Sequence, residues 1–179
     1  QGRPSPDRRT HSESDAHRMI RVNRHTLDNG LRLVHEEDDS TQMVALNLLY
    51  DVGARDEDPE HTGFAHLFEH LMFGGSVHIP DYDKPVQYAC GESNAWTNND
   101  LTNYYLTLPK QNVETGFWLE SDRMLSLSFS PESLEVQRQV VMEEFKQRCS
   151  NQPYGDASHL LRALAYQVHP YRWPAIGKE

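Results

Sequence analysis

The sequence predicts an α+β fold in which an antiparallel or mixed β-sheet packs against helices. Three observations carry that expectation. Residues 22–27 and 31–35 read as two strands around Asp28-Asn29-Gly30, a hairpin signal. Residues 43–50 form an apolar strand, and residues 103–108 alternate, with Asn103, Tyr105 and Thr107 set against Tyr104, Leu106 and Leu108. The remaining apolar pattern has helical spacing, over residues 62–73, 111–124, 130–148 and 156–167.

In chain order, residues 1–18 are polar and almost free of apolar side chains, so they cannot bury enough surface to order themselves. They predict a tail, disordered or left by cleavage of a tag, with Met19 as a natural start. In the hairpin that follows, the Asn29-Gly30 step supplies the positive φ angles of a tight turn. Residues 43–50 are apolar nearly throughout, which predicts a central strand with both faces covered. The charged run 55–60 reads as a solvated loop, and His25 and His35 as surface residues.

Thr62 stands where it can cap the next helix, and Gly74-Gly75 ends that helix after Phe73. Phe64, Leu67, Leu71 and Met72 predict burial over much of its circumference. A short helix ends near Ala89. Residues 91–108 then read either as a hairpin with an Asn-rich turn or as an edge strand that offers its backbone to an extended peptide. Pro109 stops the strand, and Val113, Phe117, Leu119 and Met124 mark the apolar positions of the helix over 111–124. Ser130 as cap with Pro131 in the first turn opens the helix that runs to about Arg148. The last helix leads into a Pro-bounded loop at 169–174.

The stretch His66-Leu67-Phe68-Glu69-His70 carries the chemistry. Histidines four apart on a helix face the same way, because four residues are close to one turn, so both imidazoles can hold one metal ion. Glu69 falls at the edge of that face, a base's position beside activated water. The letters match the inverted zinc-peptidase motif H-x-x-E-H. In a chain with ten histidines, the plainer alternative is an amphipathic core helix that carries histidine by composition.

A catalytic zinc usually takes three protein ligands, so one more is needed. Glu143 and Glu144 are an acidic pair set in an apolar helical stretch, between Val140-Val141-Met142 and Phe145. Val140, Val141, Glu144 and Phe145 share a face, while Glu143 points about 100° away. Glu144 is then the inward residue, and an inward carboxylate needs a cation. A Glu-rich surface turn is the alternative.

A net charge of −10 argues against a nucleic-acid partner, which asks for a basic face. No apolar run approaches the roughly 18 residues that span a bilayer, so no membrane association is expected. Cys90 and Cys149 lie outside any C-x-x-C, which predicts neither a disulfide framework nor a thiolate zinc site and leaves one bridge between them as the alternative to two thiols. Reduced thiols in the cytoplasm follow, with a periplasmic or secreted protein freed of its signal peptide as the alternative.

Together, His66-Leu-Phe-Glu-His70 followed by Leu-Met-Phe-Gly-Gly, then Gly91-Glu-Ser-Asn-Ala-Trp-Thr and Thr102-Asn-Tyr-Tyr105, then Val140-Val-Met-Glu-Glu-Phe145, resemble the pitrilysin family of zinc peptidases. The resemblance implies one incomplete α/β subdomain of that family's clamshell, with residues 19–179 as a zinc-binding peptidase domain incomplete at its C-terminus. It implies one Zn²⁺ per chain on His66, His70 and Glu144, with Glu69 as general base. Asn94 and Ala95 match the Asn-Ala pair that holds substrate backbone beside an edge strand. In the family a Glu seven residues before the third ligand supports the site, and Gln137 takes that place here. The implied activity is zinc-dependent endopeptidase action on peptides or small unfolded proteins, with a homologous second half or partner subunit missing from this chain. A rival expectation is a truncated fragment or partner-dependent subunit that binds zinc but is inactive alone. A purely structural zinc module would need a fourth protein ligand, for which His61 and His78 are the nearest spare histidines.

Overall fold

A computed structural model describes residues 20–128 and 130–178, so the expected tail over residues 1–18 lies outside the described residues. The chain divides into two units, Gln1–Thr41 and Gln42–Glu179.

The described part of the first unit is a hairpin of β1 (Val22–Thr26) and β2 (Arg32–Glu36), with Val22 opposite Glu36 and Thr26 opposite Arg32. Its turn differs from the expected one. Leu27 N–H donates to Leu31 O and Gly30 N–H to Leu27 O, both at 2.9 Å. Only Gly30 takes a positive φ, +88°. Asn29 instead uses its side chain, whose Oδ1 accepts from Leu31 N–H at 3.1 Å. The result is a three-residue loop with a glycine bulge.

The second unit holds a three-stranded antiparallel sheet of β3 (Met43–Tyr50), β4 (Glu92–Thr97) and β5 (Thr102–Pro109), in the order β3-β5-β4. Leu46 faces Leu106 across one ladder, and Ala95 faces Tyr104 across the other. The middle strand is therefore β5, and β3 sits at an edge with alternate residues exposed, contrary to the central position its apolar run suggests. Apolarity reports what a strand's side chains tolerate, whereas its neighbours are set by chain connections far away in sequence. The stretch before β5 forms the Asn-rich turn: Asn98 Oδ1 accepts from Asp100 N–H at 2.8 Å and from Leu101 N–H at 2.9 Å. β4 is also the outer strand of this sheet.

Among the described residues the unit also holds five α-helices: α1 (Phe64–Leu71), α2 (Asp83–Tyr88), α3 (Val113–Ser126), α4 (Pro131–Phe145) and α5 (Ala157–Ala165). α1 tightens into a 3-10 turn over Met72–Gly74, and α4 widens into a π turn over Lys146–Ser150. Ser130 caps α4 as its sequence predicts, its hydroxyl accepting from Ser133 N–H at 3.2 Å with Pro131 in the first turn. We expect Ser130→Ala to cost about 1 kcal/mol, the usual worth of such a cap, as a lower urea midpoint with an unchanged slope.

Leu106 and Leu108 of β5, Leu119 of α3 and Val86 of α2 form the core with Ile79, Tyr82 and Ala89, and Leu46 and Phe73 border it. The inward face of α3 matches the predicted apolar one at Leu119 and half-buried Val113 but not at the other two positions. Phe117 and Met124 are exposed, while Gly116, Leu119, Glu120 and Arg123 are buried. Burying that charged pair is tolerable because it is fully engaged. Arg123 Nε and Nη2 donate to Glu120 at 2.8 and 2.7 Å, Tyr82 Oη donates to Glu120 Oε1 at 2.8 Å, and the guanidinium lies over the Tyr82 and Tyr104 rings at 4.6 and 4.7 Å. Among the described residues no helix is long and apolar enough to cross a membrane.

Candidate metal centre

α1 is pinned at both ends. It starts at Gly63, whose φ of +96° is left-handed and costs glycine nothing. Thr62 does not cap it. Glu57 does so from the preceding loop: its Oε2 accepts from Gly63 N–H at 2.9 Å and its Oε1 from Ala65 N–H at 2.8 Å. Burial pushes the Glu57 carboxyl above its ordinary pKa, and these amide bonds work against that rise. A carboxylate here also suits the positive end of the helix dipole. At the far end Arg123 Nη1 donates to Met72 O at 3.4 Å.

Burial is one-sided. Ala65, His66 and Leu71 are buried, but Phe64, expected to be covered, is 49% exposed and Phe68 46%. Both line a cavity of about 460 Å³ together with Tyr50, Met72 and Tyr104. That opening leaves the two rings uncovered.

The i, i+4 spacing brings His66 Nε2 and His70 Nε2 to 3.3 Å, with the rings edge-on at 88°. From α4, Glu144 Oε2 approaches to 3.6 Å of His66 Nε2 and 3.4 Å of His70 Nε2. The three residues form a group that could hold a metal ion. His66 is only 8% exposed. Burial is the largest influence on it and lowers its pKa; Glu144 pulls upward and His70 downward again. The ring is thereby kept neutral, the form whose lone pair can bind a metal. The buried Nδ1 of His66 has no hydrogen-bond partner among the described residues.

Glu69, on the turn between the two histidines, accepts a short hydrogen bond on Oε2 from the Thr97 hydroxyl at the end of β4. Thr97 in turn lies 3.5 Å from Thr102 Oγ1, which donates to Val52 O at 2.9 Å. Thr102's proton is committed to Val52, so both Thr102 and Glu69 are acceptors toward Thr97, and its single proton goes to the nearer, charged carboxylate of Glu69. On the same strand Asn94 is exposed, its Oδ1 accepting from Ala95 N–H at 2.8 Å, and Ala95 is half-buried. Gln137 lies half-buried on α4, seven residues before Glu144 and so on nearly the same face. Glu143 points away and reaches Lys146 at 3.9 Å. The spare histidines lie elsewhere: His78 Nδ1 bonds Asp122 Oδ1 at 2.8 Å, and His61 lines the cavity. Cys90 and Cys149 are free thiols.

The sequence reading missed Thr97, Glu57 and Arg148, whose Nη2 stands 2.7 Å from Glu144 Oε1. Arg148 carried a usable signal, since it follows Glu144 by four residues on one helix. Thr97 and Glu69 are 28 residues apart in sequence, and nothing local links them.

Comparison with known proteins adds a second line of observation. The family model described as insulinase, peptidase family M16, matches residues 32–178. The zinc protease PqqE of Helicobacter pylori is 35% identical over 155 residues, 85% of this chain and 35% of that protein. A probable mitochondrial-processing peptidase subunit beta of Arabidopsis thaliana is 26% identical over 97% of this chain and 35% of its own length. The crystal structure of a protease from Helicobacter pylori superposes with a TM-score of 0.85 at 33% identity, covering 89% of this chain and 39% of that one. The chain thus spans little more than a third of the length of these relatives.

Proposed function

The chain belongs to the insulinase family, peptidase family M16, and from that premise we propose that residues 19–179 are the zinc-binding part of a metalloendopeptidase acting on peptides or small unfolded proteins. His66, His70 and Glu144 hold one Zn²⁺. Glu69 is the general base, and Asn94 and Ala95 lie along the strand that holds substrate backbone. The observation that carries the reading is the convergence of two imidazole nitrogens and one carboxylate oxygen, from two helices, at 3.3, 3.4 and 3.6 Å. Those separations match the edges of a tetrahedron, about 3.3–3.6 Å for ligand bonds of ~2.0–2.2 Å, and the His₂Glu donor set is one that hydrolytic zinc uses. The donors fit the ion.

When bound, zinc lowers the pKa of water towards about 7 and polarises the scissile carbonyl. Glu69 does the proton transfer. Its Oε2 is held by Thr97, so Oε1 is the atom that takes the proton from water and passes it to the leaving amine. The outer strand β4 presents its main chain to an extended peptide, with Asn94 on its exposed face. Two free thiols support a reducing compartment such as the cytoplasm.

The chain's span of little more than a third of its relatives favours a second reading, in which it binds zinc but turns over only with a homologous second half or partner subunit. Metal analysis after dialysis, with a fluorogenic peptide assay of the chain alone and with its remainder, tests both. One zinc per chain with turnover by the chain alone supports the first reading; zinc with turnover only after the remainder is added supports the second. A chain without zinc overturns both.

A further inference from the structure

The two oxygens of Glu144 have different neighbours. Oε2 faces the two imidazoles at 3.6 and 3.4 Å, and Oε1 lies 2.7 Å from Arg148 Nη2. Arg148 stands one turn further along, inside the π turn Lys146–Ser150, which Asn151 N–H closes onto Lys146 O at 2.8 Å. Glu followed by Arg at this spacing is the favoured order for a helical ion pair, and taken alone that makes an ordinary weak contact. The asymmetry of burial makes it more than that. The Glu144 side chain is 20% exposed and the Arg148 side chain 67%, so the carboxylate is held inward while the guanidinium stays in water.

We infer that Arg148 is a positioning residue for the metal: it occupies Oε1, fixes the carboxylate rotamer, and leaves Oε2 as the single oxygen turned toward the cation. The inference rests on the metal reading above. A guanidinium also repels a cation, but the exposed charge is screened by water and salt. Orientation of a mostly buried ligand by a close ion pair is screened far less, so the orienting effect outweighs the repulsion.

The test is the zinc affinity of the chain, by competition with a chromophoric chelator, for wild type, Arg148→Met and Arg148→Lys. Arg148→Met should bind zinc about 10–100-fold more weakly, the usual effect of removing a group that orients a metal ligand. Arg148→Lys should recover part of the loss, because an ammonium can still bond Oε1 without the planar fork. Cobalt(II) gives an independent reading, since four-coordinate cobalt absorbs strongly in the visible and higher coordination weakly. Arg148→Met should weaken that band as Oε1 becomes free to join. Zinc affinity in Arg148→Met equal to wild type overturns the inference and leaves the ligand set standing. So does a lower melting temperature of the metal-free variant with zinc affinity unmoved, the mark of a merely structural pair. A wild-type chain that binds no zinc removes the metal reading and this inference together.

Discussion

Glu69→Gln is expected to keep its zinc and to lower peptide hydrolysis by about 10²–10⁴-fold, the range a positioned acid–base group contributes. The amide has nearly the shape of the carboxylate, and its oxygen can still accept from the Thr97 hydroxyl, so the end of β4 stays in place. What it loses is the ability to take a proton. The metal should be unaffected, because the close distances of the cluster run among His66, His70 and Glu144 and involve no atom of Glu69. The comparison is made on the active form of the protein, the chain alone or with its remainder, with zinc content and kcat measured on the same preparation. Wild-type turnover in zinc-loaded Glu69→Gln would remove Glu69 from the reaction.

His70→Ala should fall from about one zinc per chain to trace amounts after dialysis. Removing a neighbour that merely orients a ligand costs about 10–100-fold in affinity, and losing a donor outright costs more. His66 and Glu144 alone leave a buried nitrogen and a carboxylate oxygen 3.6 Å apart, too few donors to compete with water for the ion. The fold should survive, since the core of Leu106, Leu108 and Leu119 includes none of the cluster residues. A circular dichroism melt of the metal-free variant beside the metal-free wild type checks that. Full zinc occupancy in His70→Ala sinks its role as a ligand.

These two variants target the part of the molecule that was most legible in the sequence. The juxtaposition of His66 and His70 follows from helix period alone, and the inward turn of Glu144 follows from its place beside Val141 and Phe145, while Val140, expected on the same face, is 45% exposed. The start of α4 at Ser130-Pro131 is equally local. What the sequence hid depends on distant neighbours. β3 reads as central by its apolarity, yet β5 took the middle because the β4–β5 hairpin folds back against it. Thr62 reads as the cap of α1, but the carboxylate of Glu57 reaches the same amides from the loop before. The apolar set Val113, Phe117, Leu119 and Met124 gives charged Glu120 and Arg123 no place in the core, and Tyr82 and Tyr104 arriving from elsewhere make their burial tolerable. The Thr97 grip on Glu69 belongs to the same class, a contact made by the sheet lying beside α1.

The outer position of β4 has a cost for the molecule itself. Main-chain donors and acceptors along such a rim do not discriminate between a substrate and the matching rim of a neighbouring copy. At high concentration the chain should therefore compete with its own substrates, so that specific activity declines as protein is added and light scattering rises in step, and a short extended peptide should suppress both.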